Sequence, residues 1–101
     1  MNETEKIIIK VDPEIKDLIP GFLQNRQRDI NNIESLLKEE NFEEIERIGH
    51  SMKGSGGGYG FTGISEIGRF IEMAAKEKDI QKIKKGIEDL KDYLNRIELV
   101  E

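Results

Sequence analysis

Residues 49–60 read GHSMKGSGGGYG, a stretch that holds six of the ten glycines of the chain and its only histidine, His50. Taken locally, a run so rich in glycine is typical of a flexible linker. However, apolar and small residues recur at helical spacing through the stretch: Phe42, Ile45, Ile48, Met52, Gly56 and Tyr59. Since each glycine inside a helix costs about 1 kcal/mol relative to alanine, we predict a helix whose glycines serve packing or function.

The helical phase divides this stretch into an inner and an outer face. At about 100° per residue, Gly49 and Gly56 lie within about 40° of the core position Ile45. Small residues there allow a neighbouring helix to approach closely. His50 falls near 140°, on the outer face, with Gly54 and Gly57 leaving open surface beyond it. We therefore predict an exposed imidazole that a docking protein can reach, although a lone histidine on a helix is more often an ordinary surface residue.

The imidazole and the lysine that follows it suggest phosphoryl chemistry. A ring nitrogen of His50 can accept a phosphoryl group as a reactive phosphoramidate and pass it on. Lys53, one helical turn away, places a cation where it would stabilise the added negative charge.

Three further segments show helical periodicity. Asp12, Pro13 and Glu14 form a start signal, and Pro20 should break this segment into a short helix and a longer one over about residues 20–39. Asn41 and Asp79 are predicted caps of the second and fourth helices. The third helix is predicted over about residues 62–78. Predicted inward residues are Ile64, Ile67, Phe70, Ile71, Met73 and Ala74 in the third helix, and Ile80, Ile83, Ile87, Leu90, Leu94 and Ile97 in the fourth.

These segments predict an all-α fold, an antiparallel up-down four-helix bundle with a short extra N-terminal helix. The bundle is expected over residues 12–101 and an N-terminal arm over residues 1–11. The pattern leaves open whether Lys6–Val11 is an extended arm against the bundle or disordered.

Composition limits the possible classes of function. A chain of 101 residues has room for one domain. It has no cysteine, which excludes disulfides and thiolate chemistry, and its formal charge of −5 argues against non-specific nucleic-acid binding. Its apolar runs are too short for a signal peptide or a membrane span. We expect a cytoplasmic protein that contacts neither nucleic acid nor membrane.

The run from His50 to Ser55, HSMKGS, followed by Gly60 and Phe61, resembles the histidine-containing phosphotransfer (HPt) domain. The longer stretch HSMKGSGGGYGF is similar to the N-terminal phosphotransfer domain of chemotaxis histidine kinases. The short H-x-x-K-G core would be a weak pattern alone, and its extension through Phe61 makes it specific.

The resemblance assigns roles to single residues. It implies that His50 is the phosphoacceptor, that Lys53 neutralises the phosphoryl group and that Gly54 keeps the site accessible. Glu72, on the next helix, corresponds to the position that orients the imidazole, although a solvated surface acid is an equal alternative. The remaining implied partner contacts are Gly57, Arg47, Arg69 and Lys76.

The implied function is that of a phosphocarrier in a histidine–aspartate phosphorelay, without a kinase core. The implied partners are receiver domains and, as a further candidate, a hybrid histidine kinase. Mg²⁺ is expected in the receiver and no cofactor or metal in this chain. A monomer is the expected oligomeric state. The alternative is an interaction-only helical bundle. A phosphate-binding loop is disfavoured because the lysine precedes most of the glycines, and a di-iron bundle because it needs more than one histidine. The cognate partners and the direction of phosphoryl flow are not indicated.

Overall fold

The computed structural model describes residues 5–101, which form four helices and two short strands. The helices are α1 (Ile19–Lys38), α2 (Phe42–Gly58), α3 (Thr62–Lys76) and α4 (Ile80–Arg96). The strands are β1 (Ile7–Lys10) and β2 (Ile97–Val100). Helix α1 contacts α2 and α4, while α3 contacts α2 and α4. The predicted four helices are thus confirmed, and none of those described is long and apolar enough to cross a membrane.

Side-chain caps start two of the helices, and residues with positive φ follow the ends of three. Asn41 Oδ1 accepts a hydrogen bond from Glu44 N at 3.3 Å, and Asp79 Oδ1 accepts one from Lys82 N at 3.1 Å. Left-handed residues follow the first three helices: Glu40 at φ 56°, Gly60 at φ 85° and Lys78 at φ 55°. Such a residue stops helical propagation. Helix α2 continues through the glycine run to Gly58, as its phase predicted.

The all-α prediction is incomplete, because β1 and β2 pair in parallel with Ile7 opposite Ile97. Ile97 was assigned to the apolar face of the fourth helix, but its backbone is extended and it begins β2. A strand of four residues is too short for alternation to be recognised in a sequence. Of the two conformations considered for Lys6–Val11, the structure has the extended one over Ile7–Lys10. The first four residues of the predicted arm lie outside the described range.

The predicted short N-terminal helix is reduced to a three-residue 3₁₀ helix, Lys16–Leu18, that leads directly into α1. Helix α1 begins and ends within one residue of the longer helix predicted over about residues 20–39. Pro20 lies in the first turn of α1 and causes no break. A proline is tolerated there because the first amides of a helix have no partner within the helix.

Of the predicted inner positions of α2 and α4, the buried core contains Ile45, Met52, Ile83, Ile87 and Leu90. The predicted positions Phe42, Ile48 and Leu94 are partly buried against it, and Ile80 lies outside it. The prediction for α3 needs a correction. Phe70 and Met73 were predicted inward, but they are 37% and 47% exposed. Helix α3 is apolar around more than half of its circumference, and its neighbours cover only part of it. Phe61, in the loop before α3, is fully buried. The most deeply buried side chains are Ile19, Ile30, Ile33, Ile45, Met52, Phe61, Ile64, Ile71, Ile83 and Leu90.

Candidate functional site

The candidate site lies where helices α2 and α3 cross at very short distance. A Cβ atom on Gly68 would lie 2.6 Å from the backbone nitrogen of Lys53 and 2.8 Å from the carbonyl oxygen of Gly49. A Cβ on Gly49 would lie 2.7 Å from the backbone nitrogen of Glu72. Real Cβ atoms do not approach backbone this closely, so the crossing requires glycine on both helices. The inward position of Gly49 was predicted, whereas Gly68 was missed.

This crossing brings Glu72 to two residues of α2. Its Oε2 lies 2.9 Å from His50 Nδ1, and its Oε1 lies 3.1 Å from Lys53 Nζ. Glu72 is only 8% exposed, so the alternative of a solvated surface acid is wrong. The side chain of His50 is 68% exposed. The three residues that the sequence singled out for chemistry therefore form one contiguous cluster.

The charge state of Glu72 determines which nitrogen of His50 is free. Burial raises the pKa of this carboxyl, but hydrogen bonds from His50 and Lys53 outweigh that effect and lower the pKa below its ordinary 4.5. The group is thus an anion at neutral pH. A carboxylate that accepts a hydrogen bond from Nδ1–H selects the tautomer whose lone pair is on Nε2. The arrangement therefore presents a nucleophilic nitrogen on an exposed ring.

The surface beside His50 is open. A Cβ atom built on Gly54 would meet no atom within 4 Å, and one on Gly57 would meet only Ser65 Oγ at 3.9 Å. Both glycines are exposed. In contrast to Gly49 and Gly68, they are not required by packing within the chain. They leave room for another molecule to approach the imidazole.

The other predicted contact residues are not part of this cluster. Arg47 is paired with Glu44, with 2.6 Å between Nη2 and Oε2. Lys76 Nζ lies 4.0 Å from Glu46 Oε2. Arg69 is exposed and takes part in none of the ion pairs formed within residues 5–101. Within residues 5–101, none of these three cations forms an ion pair with Glu72 or a side-chain hydrogen bond with His50.

The sequence interpretation missed Arg26, a buried residue of α1 that supports the glycine-rich end of α2. Its Nη1 donates a hydrogen bond to Ser55 Oγ at 2.9 Å, and its Nε lies 2.9 Å from Asp29 Oδ2. Its guanidinium lies 4.6 Å from the ring centre of Phe22, which stacks on Tyr59. Burial raises the pKa of Asp29, and Arg26 opposes that rise. A signal was present, because Arg26 follows Phe22 by four residues on the apolar face of α1.

Residues 5–101 contain no group of three or more histidine, cysteine or acidic residues placed to hold a metal ion. A family model described as the Hpt domain matches residues 17–99, a span that includes all four helices. No curated protein and no solved structure was found to match the chain.

Proposed function

Because the chain belongs to the Hpt domain family, whose members carry phosphoryl groups in phosphorelays and are not kinases, we propose that it carries the phosphoryl group on His50. It accepts this group from, and donates it to, the aspartate of a receiver domain. The observation that supports this proposal most strongly is the contact between His50 Nδ1 and the buried carboxylate of Glu72 at 2.9 Å.

The proposed step is a displacement at phosphorus. The Nε2 lone pair of His50 forms a bond to the phosphorus of the receiver's aspartyl phosphate, while the bond from phosphorus to the aspartyl oxygen breaks and releases a carboxylate. The ring keeps its Nδ1 proton and gains positive charge, which Glu72 stabilises at hydrogen-bond distance. Lys53, whose Nζ lies 3.1 Å from Glu72 Oε1, neutralises the negative charge of the incoming phosphoryl oxygens in this proposal.

The proposal also covers the metal, the helix directions, the oligomeric state and the domain bounds. Mg²⁺ is expected in the receiver, and this chain needs no cofactor of its own. Neighbouring helices are inferred to run antiparallel, because only residues 39–41, 59–61 and 77–79 connect them. We also propose a cytoplasmic monomer whose phosphotransfer domain spans residues 12–101 and whose arm spans residues 1–11.

The test is the intact mass of the protein after incubation with phosphorylated receiver domains and Mg²⁺. The expected result is one acid-labile phosphoryl adduct per chain, as a phosphoramidate requires. If several receivers yield no adduct on folded protein, the interaction-only bundle becomes the better explanation.

Filling the open surface should slow transfer without unfolding the protein. We expect Gly54→Glu and Gly57→Leu to reduce the rate of transfer from a receiver about tenfold or more, because a side chain would occupy the space needed for docking. Both variants should keep the circular dichroism spectrum of the wild type, since a Cβ atom would meet no atom within 4 Å at Gly54 and only Ser65 Oγ, at 3.9 Å, at Gly57. Wild-type transfer rates in both variants would show that the open surface has no role.

Replacing the orienting carboxylate should affect both transfer and the pH dependence of stability. We expect Glu72→Gln to slow transfer about tenfold, because a neutral amide stabilises the charged ring less well. The lowered pKa of Glu72 means that its ionised form stabilises the fold above pH 4.5, and that this contribution is lost as the pH falls through the lowered value. Urea unfolding of both proteins at neutral and acidic pH should therefore show a stability difference that shrinks on acidification. A difference independent of pH would contradict the assigned ionisation.

A further inference from the structure

The C-terminal end of α2 has little tendency of its own to be helical. Residues 54–58 consist of four glycines and Ser55, and only proline is a poorer helix former than glycine. The last turn of α2, which lies wholly within the described residues, has no basic side chain to stabilise the helix end. The helix nevertheless continues through Gly58. Contacts with other helices must therefore hold these residues in place.

On the side of α1, Arg26 makes the polar contact with these residues. Its Nη1 donates a hydrogen bond to Ser55 Oγ at 2.9 Å, and Ser55 is the one residue among the five that has a side chain. The guanidinium also lies 4.6 Å from the ring centre of Phe22, and that ring stacks on Tyr59. Helix α1 thus contacts α2 within the glycine run and at the residue that follows it.

On the side of α3, the contacts involve the start and the middle of the run. Ser65 Oγ donates a hydrogen bond to the carbonyl oxygen of Lys53 at 2.8 Å. Gly56 packs directly on α3, since a Cβ atom there would lie 2.7 Å from the backbone nitrogen of Ser65. A Cβ atom on Gly58, by contrast, would meet no atom within 4 Å. The end of the run therefore depends on the contacts with α1.

A buried arginine is a costly residue for this position if it serves only to fill space. The side chain of Arg26 is 10% exposed, and a buried guanidinium loses much of its hydration. Its Nε lies 2.9 Å from Asp29 Oδ2. Replacing such a buried ion pair by apolar side chains is often neutral or stabilising. The hydrogen bond to Ser55 therefore explains the arginine better than stability of the core does.

Resting on the proposed function, we infer that Arg26 is a positioning residue for phosphotransfer. By holding Ser55, it keeps residues 54–58 helical, so that the open surface beside His50 is already formed when a receiver arrives. If these residues were disordered in the free protein, binding would have to order their backbone first, and the lost entropy would weaken the complex. None of the side-chain contacts of Arg26 within residues 5–101 involves His50. Its removal should therefore affect binding of the receiver and not the chemical step.

The experiment removes the hydrogen bond from either end. Arg26→Met keeps a long unbranched side chain and removes the donor, but it also leaves Asp29 without its cation, which can destabilise the fold. Ser55→Ala removes the acceptor and leaves Arg26 and Asp29 in place. Alanine is the better helix former, so intrinsic propensity alone would make this variant more ordered. Ser35→Ala, the same change at an exposed position of α1, is the matched control.

The expected result is a local loss of order with a matching loss of receiver affinity. We expect Ser55→Ala to accelerate amide hydrogen exchange at residues 56–58 about tenfold, with a smaller change in α4. The receiver concentration for half-maximal transfer should rise about fivefold, and the rate at saturation should stay at the wild-type value. Arg26→Met should show the same pattern, and the double variant should show no larger effect than Arg26→Met alone. Ser35→Ala should match the wild type in each measurement.

A second substitution separates positioning from a general loss of stability. Gly58 has no positive φ and has open space around its Cα, so Gly58→Ala should strengthen the helix without restoring the hydrogen bond. Added to Ser55→Ala, it should return both the hydrogen exchange and the concentration dependence towards the wild-type values. A variant that had merely lost stability elsewhere would not be rescued at this position.

A small phosphoryl donor separates this inference from the carrier function. Phosphoramidate, which needs no docking surface, should label His50 equally in the wild type and in Ser55→Ala. Wild-type hydrogen exchange at residues 56–58 in Ser55→Ala would overturn the inference and leave the carrier function intact. Faster exchange with unchanged concentration dependence would do the same, as would a rise that Gly58→Ala does not reduce. Failure of the wild type to accept a phosphoryl group from any receiver would instead reject the proposed function and this inference with it.

Discussion

His50→Gln is expected to abolish phosphorylation by a receiver domain while leaving the fold nearly unchanged. Glutamine has no ring nitrogen that can form a phosphoramidate, and His50 is the only histidine in the chain. The side chain is 68% exposed, and its one side-chain hydrogen bond within residues 5–101 is that to Glu72. The amide of glutamine can donate a hydrogen bond to Glu72 in place of Nδ1–H, so we expect stability to change by no more than about 1 kcal/mol. The extent of phosphorylation is measured by intact mass before and after incubation with a phosphorylated receiver. The free energy of unfolding is measured by urea unfolding.

The two measurements on His50→Gln test two separate claims, the identity of the phosphoacceptor and the contribution of His50 to stability. A phosphoryl adduct of wild-type yield on the variant would place the acceptor elsewhere and reject the assignment of His50. A loss of several kcal/mol would indicate that the histidine is needed by the fold. Asn32→Asp, another change at an exposed helical position, is a suitable control because it should leave phosphorylation at the wild-type level.

Gly68→Ala should cause a large loss of stability, because Gly68 is one of the glycines at which α2 and α3 touch backbone to backbone. The new methyl group would lie 2.6 Å from the backbone nitrogen of Lys53. A backbone atom cannot relieve this clash by changing rotamer, as a flexible side chain can. Separating the two helices costs packing along their whole contact, which we expect to amount to about 2 kcal/mol. That is a lowering of the melting temperature by about 10 °C for a domain of this size. The same separation should move Glu72 away from His50 and slow transfer.

Gly54→Ala is the matched control, since it adds the same methyl group to an interior glycine of α2. Here the methyl group meets no atom within 4 Å. Alanine is the better helix former, so this variant should be more stable than the wild type by about 0.5–1 kcal/mol. Thermal unfolding of the two variants should thus give shifts of opposite sign. A stabilised Gly68→Ala variant would show that α2 and α3 are not in close contact in solution.

The sequence predicted those parts of the site that depend on one helix. The outward direction of His50 and the inward direction of Gly49 follow from helical phase, a property of neighbouring residues along the chain. The presence of four helices follows from the same periodicity together with local start signals such as Asn41 and Asp79. The family resemblance rests on a contiguous run from His50 to Phe61, and the family match over residues 17–99 confirmed it.

Other features depended on which elements meet in space. Phe70 and Met73 look like core residues in sequence, and they are partly exposed because the elements formed by residues 5–101 cover that face of α3 incompletely. The pairing of β1 with β2 joins residues some 90 positions apart, and four-residue strands carry too little pattern to predict such a contact. Arg26 could be placed on an apolar face, but its partner Ser55 belongs to another helix.

The amino-acid sequence by itself therefore determined which helices form and which way the reactive histidine points, because both are set by local periodicity and local hydrogen bonding. Only the tertiary structure decided that Glu72 is buried and bonded to His50 and Lys53. That result needs Gly49 and Gly68 opposite each other, and the register between two helices is a non-local property. This register is set by how closely the two helix backbones can pack, and that cannot be read from the sequence of either helix alone.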